Sequence, residues 1–207
     1  FPDRVRSLLL DSAVPNELIL GTEHAVNLEA TLKAQLARCR DDAECGKKFG
    51  DPYATLIELA ADLRANPRML NVRDPRNGEW VEKPLTPGAL AVVARMYMYS
   101  SETAAMLPLT LAEAKAGRYE PLLAQAAMMS DDLGSQIAGG MHWSVICAED
   151  AEHFAPRPQD EGMLLGQDFI ATVVSWCKEW PKRGVPDDFH APLDGATPTL
   201  VMSGEYD

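Results

Sequence analysis

At 207 residues, with 46% hydrophobic and 24% charged positions, the chain has the composition of a globular domain able to bury about 70% of its unfolded surface. No apolar run reaches the roughly 18 residues that a membrane span requires. The net charge of −12, with no basic stripe to neutralise phosphates, excludes a nucleic-acid partner; it serves solubility or steers a cationic substrate end.

In chain order, Val5 to Leu10 reads as an apolar strand after the surface turn Phe1-Pro-Asp-Arg, and Asp11 to Asn16 as its exit loop. Leu28, Leu32 and Leu36 recur at helical spacing and predict a helix over Glu23 to Arg38, with a short helix around Cys45. Asp51-Pro52 opens another, carrying the stripe Leu56, Leu59, Ala60, Leu63 and stopping before Pro67. Met69 to Val72 and Trp80 to Glu82 flank Asp74-Pro-Arg-Asn-Gly78, a hairpin signal. Thr86-Pro87 caps a helix bearing Leu90, Val93, Ala94 and Tyr97. Helices follow near Leu109 to Ala116 and Glu120 to Met129, then a flexible break over Gly134 to Gly140. Phe169, Val173, Trp176 and Trp180 mark the last helix, ended by Pro181. A Pro- and Gly-rich loop leads into a final strand, Thr199 to Met202. Two short strands thus bracket a mostly helical body, and a parallel pair permits so long a crossover.

The chemistry is concentrated at the end of the chain. Ser203-Gly204 turns the last strand towards Asp207, at the kind of strand end where reactive groups gather in α/β sheets. An acid there is placed to orient a histidine, yet His24, His142, His153 and His190 all precede it. They read as surface or structural residues, and their spacing does not suggest a metal site. No Gly-x-Ser-x-Gly is present, and Gly134-Ser135 lacks the strand–turn–helix setting of a nucleophile. Met96, Tyr97, Met98, Tyr99, Met106, Met128 and Met129 suit either an adaptable pocket or helix packing. Of the four cysteines, Cys39 and Cys45 are too widely spaced for a Cys-x-x-Cys redox or zinc knuckle.

The segments FPDRVRSLLLDSAVP and PTLVMSGEYD resemble two consecutive core strands of the α/β-hydrolase fold. They are most similar to the branch of proline iminopeptidases and tripeptidyl aminopeptidases, where the first follows the helix behind the nucleophile elbow and the second carries the triad acid. The intervening SVICAED and WCKEWP fit that branch's helical cap. The resemblance implies a mainly α fold with a small parallel β pair: a helical cap domain of an α/β-hydrolase flanked by two core strands. Residues 1–15 would be a core strand and exit loop, 16–167 the cap with a small hairpin, and 168–207 a core helix and strand ending at the triad acid. Asp207 would be that acid, with the serine preceding Phe1 and the histidine following Asp207, so the chain alone would be inactive. Glu149 and Asp150 would hold the free amino group of a peptide substrate. Cys39–Cys45 and Cys147–Cys177 would be disulfides, implying a secreted or periplasmic protein; four free thiols in a cytosolic protein are the alternative. The implied partner is the remainder of the hydrolase core, with no cofactor, metal, nucleic acid or membrane. An esterase or epoxide-hydrolase cap and a non-catalytic helical binding domain are the competing readings.

Overall fold

The computed structural model describes residues 4–74, 76–155, 157–192 and 195–204, without the side chains of 131–133. Strand β1 (Leu8–Asp11) pairs in parallel with β4 (Thr199–Met202), in the register Leu8↔Thr199 to Asp11↔Met202. The backbone N–H of Leu8 donates to Pro198 O (3.0 Å) and that of Ser12 to Met202 O (2.9 Å), extending the ladder at both ends. The strand expected over 5–10 is therefore displaced towards Asp11, because pairing with a short partner, not the apolar run, sets its limits.

Between the strands lie α1 (His24–Asp41), α2 (Ala43–Phe49), α3 (Pro52–Ala65), the antiparallel hairpin β2 (Arg68–Arg73) and β3 (Trp80–Leu85), α4 (Pro87–Tyr97), α5 (Ser101–Lys115), α6 (Glu120–Gln136), α7 (Gly139–Glu149) and α8 (Asp168–Glu179). The described residues are mainly helical, with a small parallel pair and a separate hairpin. Side-chain caps fix several helix starts. Asp42 Oδ1 accepts from the N–H groups of Glu44 and Cys45, Asp51 from Ala54, Thr86 from Ala89 and Ser100 from Thr103. Each satisfies donors that a helix leaves unpaired in its first turn, and Pro52 and Pro87 start helices where a missing N–H costs nothing.

Three sequence expectations change. Helix α5 begins at the Ser100 cap and carries Pro108 inside it, buried; packing there outweighs the lost backbone bond. Helix α6 runs through Gly134 to Gln136, so the expected break narrows to Ile137 and Ala138. Asn77-Gly78 does not form a two-residue turn. It sits in a wider loop closed by Asp74 N–H to Glu79 O (2.8 Å) and Gly78 N–H to Asp74 O (2.8 Å).

Two apolar cores hold the helices. The larger joins α1, α3, α4, α5, α6 and the hairpin around Leu32, Leu56, Leu90, Tyr97, Leu107 and Leu111, with Leu164 inserted from a distant loop. That loop is tied down by buried Glu29, which accepts from the Tyr53 hydroxyl and from Leu164 N–H (3.4 Å). Arg64 adds bonds to the carbonyls of Met163 and Leu164, both 3.0 Å. The smaller core packs α7 against α8 through Ile146, Cys147, Val173 and Cys177. The β1–β4 pair shares neither core, and Leu9 (71% exposed), Leu200 (54%) and Val201 (61%) stand in solvent.

Candidate functional site

The corner that ends α7 brings two carboxylates, Glu149 and Asp150, near two imidazoles, His153 and His190. Helix α7 has no side-chain cap at its start and little one-sided apolar pattern. It is held instead by the disulfide Cys147–Cys177 to α8 (Cα–Cα 5.1 Å) and by Ile146 against Val173. A second disulfide, Cys39–Cys45 (Cα–Cα 5.0 Å), joins the end of α1 to α2, so both pairings implied by the resemblance are present. Among the described residues no cysteine is free.

Glu149 closes α7 and Asp150 follows it, but the two carboxylates occupy different environments. Asp150 is buried (6% exposed) and receives a hydrogen bond from the backbone of Leu20. Burial pushes its carboxyl above the ordinary carboxylate range; the Leu20 bond and the nearby His190 and His153 act the other way. Glu149 is half-buried, and its carboxylate has no hydrogen-bond or ion-pair partner among the described residues. Of the implied amino-group pair, Glu149 is thus the one with an accessible carboxylate, and Asp150 is packed into the structure.

His190 completes the corner. Its Nδ1 lies 2.7 Å from the carbonyl oxygen of Asn16, and its Nε2 2.8 Å from that of Glu149. Those two carbonyls, then Asp150 and Glu149, raise its pKa above the ordinary 6.5 against the opposing effect of burial. The ring of His153, in the turn 151–153, meets His190 edge-on at 4.7 Å, and Phe189 does so at 5.1 Å. Asn16 grips the same segment a second time, its Nδ2 donating to the carbonyls of Phe189 and Ala191, both 2.7 Å.

The other histidines are apart from this corner. His24 lies 5.3 Å from the Phe169 ring, and burial, then the charge of Arg95, lowers its pKa. His142 stands beside Trp143, which stacks on Trp176 at 4.9 Å. Ser135 falls inside α6, not at a strand–turn–helix. The methionine and aromatic set divides: Tyr97 is buried and Met98 and Met129 pack on the larger core, whereas Tyr99, Met106 and Met128 are exposed. Among the described residues no group of three or more His, Cys, Asp or Glu could hold a metal ion, and no helix is long and apolar enough to cross a membrane. Asp207 lies outside the described residues.

The corner offers one accessible carboxylate for a cation, two adjacent imidazoles and a buried acid. Its backbone-bound histidine was not legible as a functional residue, because nothing in the sequence near His190 announces Asn16 as its partner. Comparison of the chain with protein-family models, with curated proteins and with solved structures finds no match to any of them.

Proposed function

We propose that this chain is the helical cap and two flanking strands of a serine hydrolase that removes residues from the amino end of peptides. The observation carrying this reading is the β1–β4 pair. Two parallel strands joined by a long helical crossover leave Leu8, Leu9, Leu200, Val201 and Met202 exposed. Parallel sheets are stable when both faces are covered, and an isolated pair of this length is not. Further strands and helices of a hydrolase core would cover these residues. Asp207, beyond β4, would then be the triad acid, and the serine and histidine would come from that remainder. The paired disulfides fit an oxidising compartment and hence a secreted or periplasmic enzyme.

The cap would supply substrate selection. A free amino terminus is told from an internal peptide bond by a carboxylate that pairs with its ammonium, since that charge is costly to desolvate alone. Glu149 has the accessible carboxylate for this role, on a helix end fixed by the Cys147–Cys177 bridge. In the hydrolase containing this segment, Glu149→Gln should lower kcat/KM for free-amino substrates by about 2–5 kcal/mol of transition-state binding. N-acylated substrates should be nearly unaffected, and Asp207→Asn should remove activity on both. Equal losses on the two substrate classes would make Glu149 structural and favour an esterase. Labelling of a serine within the present chain by a fluorophosphonate would overturn the proposal.

A further inference from the structure

We infer that His190 is a proton-dependent clasp: as an imidazolium it ties the loop after β1, the end of α7 and the approach to β4 together, and as a neutral ring it releases one of them. The reasoning is one of donors and acceptors. A carbonyl oxygen accepts hydrogen bonds and cannot donate them. A neutral imidazole has one N–H and one lone pair, so it satisfies one carbonyl and turns its lone pair on the other. With both ring nitrogens 2.7–2.8 Å from carbonyl oxygens, only the doubly protonated ring donates to both.

The surroundings favour that form. Among the described residues, Asp150 and Glu149, at the end of α7, are the charged groups acting on the ring, and both favour the cation. His153 faces it from the turn 151–153, Phe189 from its own segment, and Asn16 from the loop after β1. Asn16 adds bonds to the carbonyls on either side of His190, so residues 189–191 are gripped at each position. These contacts span sequence separations of 174 and 41 residues. They join the end of α7 to the chain where it leaves β1 and where it approaches β4.

The sign follows from the direction of the shift. A histidine whose folded-state pKa is raised above 6.5 contributes its stabilisation fully below that value, and loses it as pH rises through the folded-state pKa. The clasp is therefore closed in mildly acidic solution and loosens towards alkaline pH.

This inference is independent of the peptidase reading and is tested on the present chain without any activity. NMR titration of the histidine ring protons should give His190 a pKa above 6.5. Hydrogen exchange of the amides of Leu18, Phe189 and Ala191, which bond within the clasped segments, should be followed across the same range and corrected for intrinsic rates. Between pH 6.5 and the His190 pKa their protection should fall by up to about tenfold per pH unit, and above that pKa it should level off. In His190→Gln, which cannot carry the charge, protection should be low and independent of pH. A His190 pKa at or below 6.5, or the same pH dependence in His190→Gln, would overturn the clasp.

Discussion

Removing the Cys147–Cys177 bridge should destabilise the chain more than removing Cys39–Cys45, and the difference follows from loop length. The first closes a sequence separation of 30 and the second one of 6. On the chain-entropy model these loops restrict the unfolded state by about 3.6 and about 2.2 kcal/mol respectively. Location widens the gap. Cys147 (1% exposed) and Cys177 (3%) form half of the smaller buried core, with Ile146 and Val173. Replacing both by alanine removes two packed sulfur atoms as well as the bond. Around Cys45 no residue of α2 is buried, so alanine there removes little packing. Urea denaturation followed by tryptophan fluorescence reads the effect directly, because Trp143 and Trp180 pack on the smaller core. The midpoint of the Cys147→Ala, Cys177→Ala protein should fall further than that of the Cys39→Ala, Cys45→Ala protein. An equal or reversed order would refute both the loop-length argument and the assignment of α7 and α8 to a core held by the bridge.

Two further substitutions test the packing. Gly21 has φ +91°, and a Cβ there would come within 2.8 Å of Phe169 Cε1 and 3.1 Å of Ile170 Cδ1. Gly21→Ala should therefore cost about 1–3 kcal/mol from backbone conformation alone, with crowding of α8 in addition, and an unchanged thermal midpoint would contradict the close approach. Glu29→Ala should cost about 1–3 kcal/mol by leaving the Tyr53 hydroxyl and Leu164 N–H without their acceptor; a loss no larger than that of Tyr53→Phe would show that the 163–164 loop is held without Glu29.

What the sequence disclosed and what it concealed separate along physical lines. The helix starts at Asp51-Pro52 and Thr86-Pro87 were readable because capping uses a side chain and its own neighbours. The leucine stripe of α1 was readable because burial on one face repeats every turn. Helix α7 was not, since it has glycines at its start and apolar residues around much of its circumference, and it owes its position to a disulfide and to α8. Pro108 concealed the first half of α5, because its burial within the folded helix counts for more than its local preference.

The candidate site divides in the same way. Glu149 and Asp150 were singled out together, by their position in the resembled cap, and nothing in their spacing foretells that Asp150 is buried and bonded by the backbone of Leu20 while Glu149 is only half-buried. His190 itself binds backbone carbonyls of Asn16 and Glu149. Any residue type offers a carbonyl, so such a contact selects no partner side chain and leaves no spacing to recognise. What it does demand is a second proton on the ring, which a glutamine or an asparagine at position 190 could not supply. The residue type at 190 is therefore constrained by charge, and its partners are constrained only by where the fold carries their backbone.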